Sequence, residues 1–182
     1  MIMRKAFLPV SLTLALLTPA LAGGAGNMSA MTGGVSTAQV SNDSDVLAME
    51  VITMSNLAEI TTSQLALKKS ANAAVRSFAQ QMISDHTKAQ SELNMLAMQK
   101  GVRLTNKPGA DQRLQYNKLT TLSGAAFDAA YKNVQVAGHA MTLTLIETYR
   151  TIGKDAATLA YAAKVQPVVA MHLDMAKQLP NR

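Results

Sequence analysis

From Asp43 onward, apolar residues recur every three to four positions, and the chain shows almost no strand signal. Ala, Leu, Gln, Lys and Met dominate this part, and all five favour helices. The pattern predicts four long helices over residues 44–69, 72–100, 125–152 and 155–179, with a short helix over 111–122 between the second and the third. Two helical hairpins joined by a long connection are typical of a ferritin-like four-helix bundle. We therefore predict an all-α bundle over residues 43–182, with the short helix in its crossover.

Several residues predict where these helices begin, end or bend. Asn72 is a good N-cap residue. Gly101 and Gly153 favour the ends of the helices that precede them. Pro167 lies inside the last predicted helix, where it removes one backbone hydrogen bond and collides with the carbonyl of Ala163. We expect a kink at Pro167, or a break into two shorter helices.

The first 22 residues have the pattern of a Sec-type signal peptide. Arg4 and Lys5 form a positive region, and an apolar run follows over residues 6–17. That run is too short to span a bilayer comfortably. The segment Ala20–Ala22 offers a small-residue cleavage pattern. We predict cleavage after Ala22 and a location in the periplasm or outside the cell, since no later apolar run is long enough to cross a membrane; the alternatives are a core helix or a retained anchor.

Residues 23–42 are rich in Gly, Ser, Thr and Ala, which predicts a flexible leader between the cleavage site and the bundle. The leader contains Met28 and Met31, and thioethers in such a spacing can bind Cu(I). Chance composition is the favoured explanation of this pair. The chain has no cysteine, so any metal must be held by His, Met, carboxylate or backbone groups.

The charge of the chain is mildly basic. The formal net charge is +6, and removal of Arg4 and Lys5 lowers it to +4. The basic residues are scattered, and the chain has 3 Phe, 4 Tyr and no Trp. A nucleic-acid surface would show a denser basic stripe with stacking aromatics. The composition therefore argues against nucleic acid as a partner and allows some attraction for small anions.

The candidate chemistry lies in three histidines, one on each of three predicted helices. His86 and His172 fall on apolar stripes, and His139 falls on the shoulder of one. At about 1.5 Å of rise per residue, all three lie near the middle height of the bundle. Glu59 on the first helix lies at a similar height and is the natural fourth ligand, or an acceptor that orients a ligand. Three His and a carboxylate indicate a transition-metal site, against the alternative of three separate structural histidines.

The other acidic residues add no further ligand to the predicted metal site. Asp85 points about 100° away from His86 on an ideal helix, so we interpret it as a surface or capping charge. Glu147, two turns beyond His139, is a weak candidate to support a ligand. The chain has four Glu and no Glu-x-x-His motif, which makes a ferritin-type iron site less favoured. Zinc accepts three His. Copper binds both imidazole and thioether, and 10 of the 12 Met remain once Met1 and Met3 leave with the signal peptide, so we favour copper.

Four segments together resemble the bacterial exported proteins grouped as domain of unknown function 4142. They are residues 73–89 (AAVRSFAQQMISDHTKA), 123–131 (SGAAFDAAY), 135–139 (QVAGH) and 171–176 (MHLDMA), and the likeness extends from about Asp43 to Leu179. The resemblance implies a ferritin-like bundle, usually periplasmic or envelope-associated. It places the recurring histidines of that family at His86, His139 and His172, and its helix-one glutamate at Glu59. Gly138 departs from the family pattern, which often has a larger residue there.

The leading hypothesis is an exported metalloprotein that binds copper through the three histidines and Glu59. A metal that cycles between two oxidation states could dismutate superoxide without an organic cofactor, which would make the protein a copper-dependent oxidoreductase. The alternative is a non-enzymatic protein, either a periplasmic metal buffer or a stress-related interaction module. In the interaction module the histidines would be structural.

Overall fold

The structure is a computed structural model that describes residues 34–180, and all its regular secondary structure is helical. The long helices are α1 (Ser44–Lys69), α2 (Ala73–Gln99), α4 (Gly124–Ile152) and α5 (Ala156–Lys177), and α3 (Ala110–Thr120) is short. Within these residues, no helix is apolar over a stretch long enough to cross a membrane. The predicted signal peptide and the pair Met28 and Met31 lie outside the described residues.

The helices begin where short polar side chains can satisfy their free N–H groups. Asp43 accepts hydrogen bonds from the backbone N–H groups of the first turn of α1. Asn72 does the same for α2, and Asp155 for α5. After α2, Gly101 adopts a positive φ of 66°, which a residue with a side chain rarely adopts. These local signals explain why the predicted ends of the helices agree with the structure to within about two residues.

The four long helices form a bundle in which α1 packs on α2 and α4, and α5 packs on α4 and α2. The segment from residue 100 to residue 123, which includes α3, carries the chain back along the bundle, so that α2 and α4 run in the same direction. The predicted four-helix bundle, with one crossover that contains a short helix, is therefore confirmed.

Two apolar clusters fill the ends of the bundle. We call them the Phe127 cluster and the Tyr149 cluster, after a large aromatic residue in each. The Phe127 cluster comprises Leu65, Ala66, Val75, Phe78, Ala79, Met82, Leu119, Phe127, Tyr131, Ala176 and Leu179. The Tyr149 cluster comprises Met49, Ile52, Leu93, Ala97, Ile146, Tyr149, Tyr161, Ala162, Val165 and Val169. On every long helix, the segment between the two clusters faces inward with polar side chains.

We call this middle layer the polar belt, and every member is buried. It comprises Ser55, Asn56, Glu59, Thr62, His86, Gln90, Gln135, His139, Thr142 and His172. Most members pair with one another: Ser55 with Thr142, and Gln135 with Thr62. A buried polar group needs such a partner, because it has lost its hydrogen bonds to water. The belt places polar chemistry at mid-height between two apolar cores.

The helix α5 continues through Pro167 without a break. Of the two predicted alternatives, the break into two shorter helices does not occur. Val165 before the proline and Val169 after it are both buried in the Tyr149 cluster. Some large apolar residues of the long helices lie at the surface. They are Leu47, Met141, Leu145 and Val168.

The end of the predicted leader packs against the bundle. Ser36 is buried, and its hydroxyl donates to Glu50 over 2.6 Å. The backbone N–H of Thr37 donates to the carbonyl of Arg103 over 2.9 Å. Glu50 also accepts from the backbone N–H of Thr105 over 3.0 Å. This buried carboxylate therefore joins the segment before α1 to the start of the crossover.

Candidate metal centre

His86 comes to the polar belt from α2, one turn after the buried Met82. Its side chain is buried, and the residue is 5% exposed. The Nδ1–H of His86 donates to Oδ1 of Asn56 over 2.9 Å, and the amide of Asn56 in turn donates to Gln90. This bond assigns the proton to Nδ1, because a carbonyl oxygen can only accept. Nε2 of His86 therefore carries a free lone pair, and it has no hydrogen-bond partner.

His139 comes from α4 and is 2% exposed. Its Nδ1–H donates to the backbone carbonyl of Gln135, one turn earlier on the same helix, over 2.8 Å. This bond leaves the lone pair on Nε2, which is also buried and without a partner. The ring orientation is thus set by the geometry of its own helix.

His172 comes from α5 and is 1% exposed. Its Nε2–H donates to the carboxylate of Asp85 on α2 over 2.9 Å. The free lone pair is therefore on Nδ1, which is buried and without a partner. Of the three bonds that orient the rings, this one uses a charged acceptor, and such an acceptor raises the basicity of the opposite nitrogen.

The three rings meet at the centre of the bundle. Their centroids lie 5.6 Å apart for His86 and His139, 5.3 Å for His86 and His172, and 5.5 Å for His139 and His172. One ring nitrogen of each lies within 4.8 Å of the other two. Three lone pairs that face no donor are costly in a protein interior unless a Lewis acid or a hydrogen-bond donor satisfies them.

The protonation states of the rings suit metal binding. Burial lowers the pKa of His86 well below its ordinary value of 6.5, and the nearby His139 and His172 add to this effect. Burial also lowers the pKa of His172, against the opposite influence of Asp85. Because metals bind the neutral imidazole, these rings need not lose a proton at neutral pH before they bind one.

Glu59 lies beside the triad without being part of it. Its Oε1 is 3.7 Å from Nδ1 of His139, which is too long for a hydrogen bond, and its Oε2 is buried without a partner. Burial raises the pKa of Glu59 above 4.5, whereas His139 and Gln135 act in the opposite direction. Gly138 allows this approach, because a Cβ at that position would lie 3.1 Å from Oε1 of Glu59. The structure thus places a buried carboxyl group next to one of the three rings.

The structure corrects two interpretations of the acidic residues. Asp85 is the acceptor for His172, not a mere surface or capping charge, because it reaches across from α2 to a neighbouring helix. Glu147 is exposed and contacts Gln166, so it does not support His139. Met82, one turn before His86, packs in the Phe127 cluster.

The pattern of apolar residues does not predict the partners that set the tautomers. Asn56 accepts from His86, and the backbone carbonyl of Gln135 accepts from His139. The signal for Gln135 was local, because a residue four positions before a helical His presents its carbonyl near that ring. Asn56 and Asp85 gave no such signal, since their partners are on other helices.

A cavity of about 260 Å³ lies between α2 and α5, and two of the three rings belong to its lining. Its outer part is lined by exposed residues that include Lys88, Val168 and Met171, and its inner part by His86 and His172. The cavity therefore extends from exposed residues to the rings of His86 and His172.

Comparison with known proteins gives a family and a fold. Residues 30–179 match the family model described as "Domain of unknown function (DUF4142)". No curated protein matched the chain. A solved structure described as "CopM in the Cu(I)-bound form" superposes with a TM-score of 0.62 at 17% identity, and "CopM in the Cu(II)-bound form" with 0.59 at 15%. Each comparison covers 74% of this chain and 93% of the other. At these identities the likeness shows a shared helical fold.

Proposed function

The chain belongs to the family described as domain of unknown function DUF4142, and we propose that it binds one copper ion through His86, His139 and His172. The observation that carries this proposal is the convergence of three buried ring nitrogens without hydrogen-bond partners. In each ring, the other nitrogen donates to an acceptor that orients it. Such outer partners are a usual feature of metal-binding histidines.

Copper is the metal that best agrees with these donors. Imidazole suits copper, zinc, iron and nickel, and copper has the highest affinity among the divalent ions of this series. Among the described residues, the group of side chains placed to hold a metal consists of the three histidines without a carboxylate, whereas a ferritin-type iron site requires several carboxylate ligands. The two solved structures of similar fold are described as copper-bound, which supports the same metal here. Glu59 would supply a negative charge close to the ion, as a fourth ligand or as a partner of His139.

We extend the proposal to a reaction, the dismutation of superoxide. A copper ion that alternates between two oxidation states supplies the electron transfer that this reaction needs. The cavity between α2 and α5 would bring a small molecule to the rings of His86 and His172. The net positive charge of the chain would favour the approach of an anion.

The alternative is a copper buffer without turnover, and one observation favours it. The rim of the cavity carries two acidic residues, Asp85 and Glu92, and two basic residues, Lys88 and Lys164. These charges balance, so the rim adds no local attraction for superoxide. The buffer would bind copper with the same three histidines and would show no catalysis.

Metal analysis of the purified protein tests the binding proposal. We expect about one copper per chain after incubation with copper and removal of the excess, and none in the variant His86→Gln/His139→Gln/His172→Gln. Glu147→Gln, on the exposed face of α4, is the matched control and should bind as the original protein does. Circular dichroism shows whether the triple variant has kept its helices. Equal copper in a folded triple variant would overturn the assignment of the ligands.

The copper-loaded protein then distinguishes the two functions. Superoxide consumption that is lost in the triple variant would establish the reaction. Stoichiometric copper with no consumption above that of free copper chelate would establish the buffer. Retention of helices with no copper in either protein would favour the interaction module.

We also propose that the chain is exported through its first 22 residues. Three features support this proposal: the positive charges of Arg4 and Lys5, the apolar run over residues 6–17, and the small residues before Gly23. Sequencing the N-terminus of protein isolated from a periplasmic fraction should give Gly23. Full-length protein that begins at Met1 and stays with the cytoplasm would contradict it.

A further inference from the structure

The three free nitrogens of the triad are sealed inside the closed bundle. The unpartnered atoms of His86, His139 and His172 have essentially no accessible surface. The cavity between α2 and α5 reaches the rings of His86 and His172, but these nitrogens face away from solvent. A metal ion can therefore reach them only when helices move apart. The contacts between the long helices indicate which pair can do so.

The long helices form two hairpins. Short loops over residues 70–72 and 153–155 join α1 to α2 and α4 to α5. The hairpins meet along two lines of contact, which we call the α1–α4 seam and the α2–α5 seam. Buried hydrogen bonds cross the α1–α4 seam along much of its length, and they join Ser55 to Thr142, Thr62 to Gln135, and Ser63 to Tyr131. This seam belongs to the core of the bundle.

The α2–α5 seam is held in a different way. The two helices make less contact with each other than α1 makes with α4, and the cavity occupies part of the space between them. Polar links close the seam near the surface. They join Asp85 to His172, Glu92 to Lys164, the carbonyl of Ala89 to the hydroxyl of Tyr161, and, beyond the end of α2, Lys100 to Asp155.

These links cost little to break. The side chain of Lys164 is 62% exposed, and that of Asp85 is 32% exposed. Water replaces an exposed partner when such a pair separates, so exposed ion pairs contribute little to stability. The bonds of the α1–α4 seam have no such replacement, because a buried polar group that loses its partner stays unpaired. Of the two seams, the α2–α5 seam is thus the easier one to open.

From these features we propose that the α2–α5 seam opens, with the α1–α4 seam as the hinge, and that the metal ion enters through this opening. The inference rests on the copper centre proposed above. His86 lies on the first hairpin, and His139 and His172 lie on the second, so opening parts the rings and uncovers their nitrogens. A metal ion that binds rings of both hairpins favours the closed form and shuts the seam behind it.

A crosslink across the seam tests the motion. The chain has no cysteine, so a pair of introduced cysteines reacts alone. Glu92→Cys/Lys164→Cys places two thiols where the side chains now meet across the α2–α5 seam, and a short bis-maleimide joins them. Leu47→Cys/Thr148→Cys is the matched control, because both residues are exposed and line the groove between α1 and α4. Each variant capped with N-ethylmaleimide serves as its own reference without a crosslink.

The first measurement needs no metal. Diethyl pyrocarbonate modifies the free nitrogen of a histidine once the reagent can reach it, and mass spectrometry of peptides gives the rate for each of the three rings. In metal-free protein, we expect the α2–α5 crosslink to abolish this modification and the α1–α4 crosslink to leave its rate unchanged. The second measurement is the rate of copper uptake, which should respond to the two crosslinks in the same way.

Loosening the seam should have the opposite effect. Lys164→Ala removes one of the links, and we expect it to raise the rates of modification and of copper uptake by about 2- to 5-fold, the factor that corresponds to an exposed ion pair. Lys177→Ala is the control, because the pair of Lys177 with Asp174 lies within α5 and crosses no seam. Neither lysine belongs to the proposed metal centre.

Two results would overturn the proposal: modification that continues at the same rate in the α2–α5 crosslinked protein, and equal slowing by the two crosslinks. Protection by the α2–α5 crosslink alone, in a protein that binds no copper, would reject the copper centre and keep the moving seam. Copper uptake at the same rate with and without that crosslink would keep the centre and reject the seam as its entrance. The two failures are thus distinguishable.

Discussion

At the scale of single residues, the centre depends on which nitrogen of each ring carries the proton. Asn56, the carbonyl of Gln135 and Asp85 each accept from one ring, and this leaves three lone pairs for a ligand. Periodicity could predict that His86 and His172 face inward, because helical stripes can be read from one helix. It could not predict Asp85 as a partner, since the position of Asp85 relative to His172 depends on how α2 and α5 pack.

Removal of the carboxylate of Asp85 should weaken copper binding. Without its acceptor, the ring of His172 can rotate or change tautomer, so we expect Asp85→Ala to lower copper affinity by about 10- to 100-fold. Competition with a coloured copper chelator measures the change. Asp174→Ala is the control, because Asp174 is exposed on α5 and pairs with Lys177. An equal loss in both variants would show that surface charge, and not orientation of the ring, determines the affinity.

Replacement of Glu59 should stabilise the metal-free protein while it weakens copper binding. Burial holds the pKa of Glu59 above 4.5, so the folded state keeps a proton that the unfolded state has lost. The free energy of unfolding therefore falls as the pH rises from 4.5 through the raised pKa. The Glu59→Gln variant has no carboxyl group to ionise, so its free energy of unfolding should not fall in this way. The difference in free energy of unfolding between the variant and the original protein should therefore grow as the pH rises from 4.5 through the raised pKa. Urea unfolding at several pH values measures it, and an advantage that shrinks as the pH rises would contradict it.

At the scale of the elements, capping residues and glycines predicted the ends of the helices, whereas the effect of Pro167 depends on context. The sequence allowed a kink or a break at this proline, and α5 continues through it. The helix tolerates the missing hydrogen bond because residues on both sides of the proline are buried in the apolar clusters. Local rules thus predicted where the helices begin and end, but tertiary contacts determine whether one survives an unfavourable residue.

Pro167→Ala should raise the stability of the bundle. The proline is exposed, so the change creates no cavity, and alanine restores the backbone hydrogen bond to Ala163. A proline inside a helix is about 3 kcal/mol less favourable than alanine, and we expect a gain of about 1–3 kcal/mol in the free energy of unfolding. Urea denaturation measures it. A loss of stability would contradict this prediction.

At the scale of the whole molecule, the polar belt separates the Phe127 cluster from the Tyr149 cluster. In the metal-free protein this middle layer contributes little apolar burial, and it contains unpartnered atoms on Glu59 and the three histidines. A ligand that satisfies those atoms would hold α2, α4 and α5 together at mid-height. The stability of the fold and occupancy of the centre are thus linked.

Copper should therefore raise the resistance of the protein to unfolding. At a free concentration 100 times the dissociation constant, a ligand that binds only the folded state adds about 2.7 kcal/mol. Thermal and urea unfolding with and without copper measure the effect, and a chelator should reverse it. The triple His→Gln variant should show no gain. A similar gain in that variant would locate the bound copper elsewhere.

The polar belt also has a consequence for how the helices align lengthwise. A slip of one helix by a single turn would move its residues by about 5.4 Å. Such a slip of α2 would part His86 from Asn56 and bring Gln90 or Met82 to its place, so that buried donors and acceptors would lose their partners. Apolar clusters alone discriminate weakly between neighbouring alignments, because one aliphatic contact resembles another. The side chains of the polar belt thus select one lengthwise alignment of the helices among several that the apolar contacts would allow. Single buried polar residues have the same effect in coiled coils.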